Sequence, residues 1–545
     1  MPLRTFVAQD YRKQVIALLV AVALLLAIAC ANVSNLLLVR AFGRRHEMTV
    51  RLAVGAGRGR LLKQLLTEGT ILSMLSAAGG LAIAHWCRNL LALLLPARGG
   101  ITMTLPGELD WRVLALSAAV CLISTVLFGL APAIQASGID LVSSLKADSA
   151  GVVGGRRRAT VRSSLVVVQV ALSFVLLVGA GLLLQSLRGI QHTSPGFSTR
   201  GVLTTGVDLR SAGYDAQRIK TFQDELIDRL QGLGGVQSAA FARLAPFSYG
   251  SYSSAEIAVD GYETVPDQRL TVDYNEVGPG YLATMGIPVV SGREFTRADN
   301  ETAPLVAVVN EAMVAQFWRG QDPVGRRLQV KGRWLQVVGV AKMSKYRSLR
   351  ETPQPFFYVP MRQNAMGLGL EVRTPLGLET MAKVLAREIH KLDANVAPSE
   401  VITMQEQVDR TTAFQRVAVT MLGVFGGLAL LLAAIGLYGV MSYTVSQSAR
   451  ELGLRMALGA GAPQLLRQVM SQGMALTAGG LLLGAGASLA LTRLIAGMLY
   501  KVSPRDPLAF GVAFAVMATA AGVACFLPAW RATRTDPVRA LRESA

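Results

Sequence analysis

Seven stretches of this 545-residue chain are apolar for long enough to cross a bilayer, and they set what it can fold into. They lie near residues 14–38, 68–95, 111–136, 163–188, 414–442, 470–498 and 508–530. About 20 consecutive apolar residues cross the hydrocarbon core as a helix, which satisfies its own backbone polar groups where no water is available. Between the fourth and fifth runs lie about 220 residues with mixed charges, scattered aromatics and turn signals, the composition of a folded soluble domain.

Charge placement orients the spans. Residues 190–413 carry 24 Lys and Arg against 24 Asp and Glu, so the whole net charge of +19 belongs to the rest of the chain. Basic clusters follow the first run (Arg40, Arg44, Arg45, Arg51, Arg58, Arg60, Lys63), the third (Lys146, Arg156, Arg157, Arg158, Arg162), the fifth (Arg450, Arg455, Arg467) and the seventh (Arg531, Arg534, Arg539, Arg542). The positive-inside bias makes these segments cytoplasmic and puts the large domain outside. A basic surplus spread over four membrane flanks fits orientation better than nucleic-acid binding, and no nucleic-acid partner is expected. Cys30, Cys87, Cys121 and Cys525 lie in or beside the runs, and the four histidines form no ligand-spaced pair, so neither a disulfide framework nor a metal site is expected.

The chain also repeats itself. Glu47–Gly69 aligns without gaps on Glu451–Gly473 with 10 identities in 23 positions, where composition alone predicts about two. A second block pairs Asp110–Lys146 with Asp506–Arg542, matching Pro132 to Pro528, Asp140 to Asp536 and Leu145 to Leu541. Two related three-span modules in the same orientation follow, a parallel repeat. In each copy a Glu and an Arg four residues apart, Glu47 with Arg51 and Glu451 with Arg455, precede a glycine break at Gly55 and Gly57 or Gly459 and Gly461. The pairs suit a short helix along the cytoplasmic face. Such a helix serves either as an interfacial anchor or as a docking surface, and retention of acid, base and glycines in both copies favours docking.

The segments RELGLRMALGA and HEMTVRLAVGA and the closing LPAWRATRTDPVRALR resemble permeases of the MacB/FtsX type, ABC-transporter subunits. The order of permease core, long exported domain and second core is similar to the fused-duplicate subgroup of that family. The resemblance implies that Glu47–Gly57 and Glu451–Gly461 are coupling segments contacting a dimeric cytoplasmic ABC ATPase. It also implies a bacterial inner-membrane location, export or mechanotransmission as the role, and room for a periplasmic or outer-membrane partner besides the lipid bilayer. The alternative is a membrane scaffold or regulator whose external domain controls a cell-envelope partner without transport. The first module lacks the prelude that precedes the second, so the chain reads as a truncated or internally started version of an eight-span protein, the alternative being a natural seven-span variant.

What the sequence lacks narrows the function further. It contains no Gly-x4-Gly-Lys-Ser/Thr phosphate loop, so ATP hydrolysis falls to a separate chain, and the nearest imitation, Gly320–Arg327, reads as a turn. No catalytic constellation is readable, and no cofactor is implied. Span interiors hold no Asp, Glu or Lys, which argues against an ion-coupled carrier. Asn32, Asn35 and Gln169 suit hydrogen bonds between helices, and Gly179, Gly181, Gly480, Gly484 and Gly486 suit close helix packing.

In the exported domain, strands are expected at 202–208, 236–242, 327–330, 334–340 and 356–360 with a last one at Val401, and helices at 216–230, 310–318 and 376–392. The acids Asp224, Glu225 and Asp228 read as a solvated helix face. The expected fold class is an α-helical membrane protein of about seven spans plus an α+β extracytoplasmic domain with a split βαβ-like subdomain. The boundaries are 1–13, the tail of an upstream external domain; 14–146, the first FtsX-like module; 147–162, a cytoplasmic linker; 163–189, a helix leading outward; 190–413, the MacB-like periplasmic domain; and 414–545, the second module.

Overall fold

The computed structural model describes residues 15–34, 67, 71, 74–76, 78–86, 115, 119 and 153–533, except 244, 249–252, 263–269, 365–368, 449–450, 452–454, 456–457 and 459–460. In chain order, α1 (Val15–Ser34) and α2 (Val153–Gln191) come first. Then follow β1 (Val202–Gly206), α3 (Ala216–Gln231), β2 (Ser238–Ala242), β3 (Ser253–Val259) and β4 (Leu270–Val277). Next come α4 (Tyr281–Met285), β5 (Val289–Gly292), β6 (Val306–Asn310), α5 (Glu311–Phe317), β7 (Arg327–Val330) and β8 (Arg333–Ala341). The remaining sheet elements are β9 (Phe356–Pro360), α6 (Met361–Asn364), β10 (Gly369–Arg373), α7 (Leu378–Leu392) and β11 (Ile402–Thr403). The long helices α8 (Met404–Gln447), α9 (Ala462–Ile495) and α10 (Pro507–Thr533) close the chain.

Residues 190–414 form one compact unit, and the described residues on either side form another. In the sheet unit, β1, β10 and β2 lie side by side with β11 at the outer edge, and β1 and β2 run parallel with β10 antiparallel between them. Helix α3 connects β1 to β2, and α7 connects β10 to β11, so two βαβ units interleave. Asp215 starts α3 by accepting a hydrogen bond from the Arg218 amide at 2.8 Å. Ile219, Phe222, Leu226 and Leu230, at helical spacing, meet Met381, Leu385 and Ile389 of α7 in a core that also takes in Leu370 and Val372 of β10.

A second core lies inside a closed ring of strands. β4, β3, β7, β8, β6 and β9 each pair with the next, and β9 returns to pair in parallel with β4. Alternation along β3 puts Ala255, Ile257 and Val259 inward, where they meet Val337, Phe357 and the α5 residues Met313 and Phe317. Asn310 accepts hydrogen bonds from the amides of Met313 and Phe356, capping α5 and holding the start of β9. The Ala242–Val277 pairing of β2 with β4 joins the two cores into one sheet.

Among the described residues, five helices of the helical unit are long and apolar enough to cross a membrane: Val15–Ser34, Arg162–Gln191, Gln415–Gln447, Ala462–Arg493 and Pro507–Arg531. They coincide with five of the seven expected runs. The run at 111–136 and most of that at 68–95 lie outside the described residues. Helices α2, α8, α9 and α10 share one core through Phe174, Val178, Leu437, Leu481 and Met517. Helix α1 packs on α2 and α8 through Ala21, Ile28, Leu176, Leu183 and Ala429.

Candidate functional site

Glu451 and Arg455 are each helical, in keeping with their four-residue spacing. Arg455 Nη2 donates to Glu451 Oε1 at 2.6 Å, and Nη1 donates to Gln468 Oε1 of α9 at 2.7 Å. The guanidinium therefore ties the segment to the first turns of a membrane helix. Both side chains remain open to solvent, 61% for Glu451 and 44% for Arg455, so the ion pair itself adds about 1 kcal/mol or less. Its value is positional. Leu458, at the far end of the segment, is 87% exposed and offers an apolar contact beside the charges. Gly461, with φ −70° and ψ 147°, sits at the start of α9 in ordinary extended backbone, followed by Pro463 in the first turn. Gly459 and the whole first copy, Glu47, Arg51, Gly55 and Gly57, lie outside the described residues, as does the closing tail with Asp536.

Within the helical unit, polar groups are spent on joining helices. Gln169 Nε2 donates to the Leu432 carbonyl at 2.8 Å, and Ser173 Oγ to the Ala429 carbonyl at 3.0 Å, pinning α2 to α8. Gly480 and Gly484 allow α9 to press on α2: an added Cβ would stand 2.6 Å from Val170 Cβ or 2.9 Å from the Ala171 carbonyl. Gly179 and Gly181 have room for a Cβ at 3.6 Å from the nearest atom, and a Cβ at Gly486 would meet nothing within 4 Å among the described residues. Asn32 is buried, but its Oδ1 has no hydrogen-bond partner among the described residues, so the expected bond between helices is not seen there, whereas Asn35 lies outside the described residues. Cys30 and Cys525 are buried free thiols.

At the boundary of the sheet unit, Arg410 on α8 makes a forked contact with Glu400, 2.7 and 2.9 Å, and a third bond of 2.7 Å to Glu406. The guanidinium is nearly buried, and the Glu400 hydrogen bond holds its pKa above the usual arginine value. This fork fixes the beginning of α8 to the stretch that leads out of α7.

The acids of α3 are not simply solvated. Asp224 pairs with Arg362, Asp228 with Arg297, and Lys220 on the same helix with Glu301. Three ion pairs thus join the helix of the first core to loops and the short helix beside the ring. A sequence reading misses them because the partners lie between 69 and 138 residues away.

Sequence reasoning also passes over Glu371. Leu370 and Val372 point into the core under α3 and α7, so Glu371 faces the opposite side of the sheet, where α4 packs on β2 and β10. It is 0% exposed and neither carboxyl oxygen has a hydrogen-bond partner. Burial pushes its pKa up to about 8, and Tyr281, buried nearby, is pushed well above the usual tyrosine value by burial and by the Glu371 charge. Arg373, two residues along the same face, directs its Nε to the Thr284 carbonyl at 2.8 Å. Among the described residues, no cluster of three or more His, Cys, Asp or Glu could hold a metal ion. Gly320–Arg327 forms turns, with Gly320 at φ 70° and Gly325 at φ 88°.

Two family models match the chain. The MacB-like periplasmic core domain covers residues 163–403, and the FtsX-like permease C-terminal domain covers 19–141 and again 423–537. Among curated proteins, the chain is similar to the uncharacterized ABC transporter permease YknZ of Bacillus subtilis strain 168, 25% identical over 333 residues that cover 59% of this chain and 79% of that protein. It is 28% identical over 287 residues to the macrolide export ATP-binding/permease protein MacB of Azoarcus sp. strain BH72, covering 50% of this chain and 43% of MacB. Against the pyoverdine export ATP-binding/permease protein PvdT of Pseudomonas savastanoi pv. phaseolicola strain 1448A, identity is 29% over 281 residues, 48% of this chain and 41% of PvdT. The chain therefore matches less than half the length of the two exporters. With a periplasmic core domain between two matches to one permease domain, the chain belongs to the ABC-transporter permeases of the MacB/FtsX type.

Proposed function

We propose that the chain is the permease subunit of an ABC-type export or mechanotransmission system, coupled to a separate cytoplasmic ATPase. The observation that carries this reading is the Arg455 fork, which joins the exposed Glu451 segment to Gln468 on a membrane helix. A push received on that segment is passed to α9, whose glycines press on α2. Along the chain, helix α2 leads into the sheet unit and α8 leads out of it. ATP binding supplies the energy as differential contact in the two arrangements, the requirement for any ligand-driven shift. The first copy, Glu47–Gly57, would receive the other lobe of a dimeric ATPase.

The names of MacB and PvdT describe export of a macrolide and of pyoverdine, and a small hydrophobic compound, lipid or peptide moved outward from the periplasm is the corresponding cargo class here. Apolar span interiors are consistent with work delivered mechanically rather than through a charged tunnel.

The test is affinity capture of an ABC ATPase from solubilised membranes by the intact chain and by a Glu47→Lys, Glu451→Lys double variant, with both shown to insert and fold. The expected outcome is an ATPase retained by the intact chain and lost by the variant. Capture that survives the charge reversal would remove the coupling role from these segments. Failure of the intact chain to hold any ABC ATPase would favour the scaffold role.

A further inference from the structure

We propose that Arg162 is the clasp of a two-helix strut: it locks the cytoplasmic end of α2 against α8, so that movement of the Glu451 segment reaches α2 directly. The inference rests on the coupling role proposed above and names a positioning residue for it. Arg162 opens the apolar span of α2, yet it is only 5% exposed. An arginine at the end of a span ordinarily extends its head to water, and one withdrawn from water has to find a partner inside the bundle. Here the guanidinium lies over the Tyr443 ring of α8, 4.0 Å from its centroid. A flat guanidinium stacks on an aromatic face as a lysine ammonium does not. The Tyr443 hydroxyl in turn accepts a 2.6 Å hydrogen bond from Gln447, the last residue of α8, four residues before Glu451.

The clasp closes a longer seam. Arg162, Gln169 and Ser173 share one face of α2 at helical spacing, and Tyr443, Gly436, Leu432 and Ala429 share the facing side of α8 in reverse order. Gln169 and Ser173 donate to the Leu432 and Ala429 carbonyls. Gly436 makes room for Gln169, since a Cβ there would stand 2.5 Å from Gln169 Oε1. Further along, a Cβ at Gly426 would stand 3.3 Å from Leu177 Cδ2. The two helices therefore stay in contact from their cytoplasmic ends to past the middle of the span, and the charged contact sits at the end nearest Glu451. Without it, the end of α8 could swing while α2 stays behind.

The test has two arms on the full chain in nanodiscs, with its four native cysteines changed to alanine. In the first, spin labels are attached through Ser164→Cys on α2 and Ser446→Cys on α8, both exposed near the clasp. Pulsed electron resonance should give one narrow distance that broadens several-fold in Arg162→Gln and Tyr443→Leu. It should stay narrow in Tyr443→Phe, which keeps the ring, and in Arg531→Gln, which removes a different contact, the 2.9 Å bond from α10 to Tyr438. In the second arm, the ABC ATPase captured by the intact chain is kept bound, and ATP with orthovanadate is added. Amide exchange across residues 192–201, just beyond α2, should change in the intact chain and in Tyr443→Phe. It should stay unchanged in Arg162→Gln, although that variant still holds the ATPase, a separation that a merely structural residue would not produce. A distance that remains narrow in Arg162→Gln overturns the clasp, as does equal broadening by Arg531→Gln. An exchange response that persists in Arg162→Gln, or loss of ATPase capture by that variant, overturns the relay. Failure of the intact chain to hold an ATPase instead removes the coupling role, and the relay with it, while the label distances still decide the clasp.

Discussion

The two units are held together by different means. In the sheet unit, strand pairing joins two apolar cores, and polar side chains cap helices, fork between elements and bridge the two cores. In the helical unit, apolar contact, close approach at Gly480 and Gly484, and a small set of interhelical hydrogen bonds, from Gln169 and Ser173 to α8 carbonyls and from Arg531 to Tyr438, hold the helices. The difference reflects the solvent each unit meets. Water makes burial of apolar area the driving force and tolerates exposed ion pairs at little gain or cost. Lipid removes that driving force between helices, so fit and the few available hydrogen bonds decide.

The contrast is open to attack at three points of decreasing effect. Leu226→Ala on α3 empties the centre of the first core, where the side chain is 0% exposed. A loss of about 2–5 kcal/mol is expected, read as a lower unfolding midpoint of the sheet unit by hydrogen exchange on the full chain, with amides of α9 unaffected. Effects of equal size in both units would mean that the division into two cohesive bodies is wrong.

Glu371 tests the sheet unit through pH. Its folded pKa of about 8 lies above the ordinary value of 4.5. Between those values the unfolded chain loses a proton that the folded one keeps, so stability falls as pH rises from about 4.5 to about 8 and levels off above. Glu371→Gln should remove this slope and stabilise the unit at pH 8, measured by the same exchange protection. A slope that persists in the variant would place the titrating group elsewhere.

The helical unit is tested with Gly480→Val, which drives a branched side chain into Val170. Overpacking of this kind costs about 1–3 kcal/mol. The expected readout is loss of α2–α9 proximity, followed by cross-linking of introduced cysteines, without change in the sheet unit. Gly486→Val, where a Cβ would meet nothing within 4 Å among the described residues, should leave the cross-link intact, and equal damage by both would show that helix propensity rather than fit is responsible.

How much was legible beforehand follows the range of the interactions involved. The spans at 15–34, 162–191, 415–447, 462–493 and 507–531 are written in uninterrupted apolar runs, because a helix satisfies its backbone within its own segment. Helix α3 was readable from Ile219, Phe222, Leu226 and Leu230 at helical spacing. Strands β3, β4, β5, β6 and β10 were missed: β3 reads Ser-Ser-Ala-Glu-Ile-Ala-Val, with small residues inward, β10 carries Glu371 on a face that looks solvated in sequence and is buried by α4, and even the apolar β6 is too short a run to be told from a buried helix segment. Of the coupling residues, Glu451 and Arg455 were visible as a helical pair, but the bond to Gln468 thirteen residues away was not.

By itself, the sequence determined five membrane-length helices among the described residues, the basic clusters that flank the apolar runs, the repeated Glu-Arg-Gly segment and the separation of a charge-neutral domain from the apolar runs. These depend on composition and on contacts within a few turns. Only the tertiary structure decided that six strands close a ring, that the acids of α3 find basic partners, that Gly480 is a contact and Gly486, among the described residues, is not, and that Glu371 lies in the dark. Each of those outcomes depends on which distant segment arrives opposite. That choice belongs to the packing of the whole chain, because strand pairing and helix contact are fixed by non-local complementarity that no local pattern encodes.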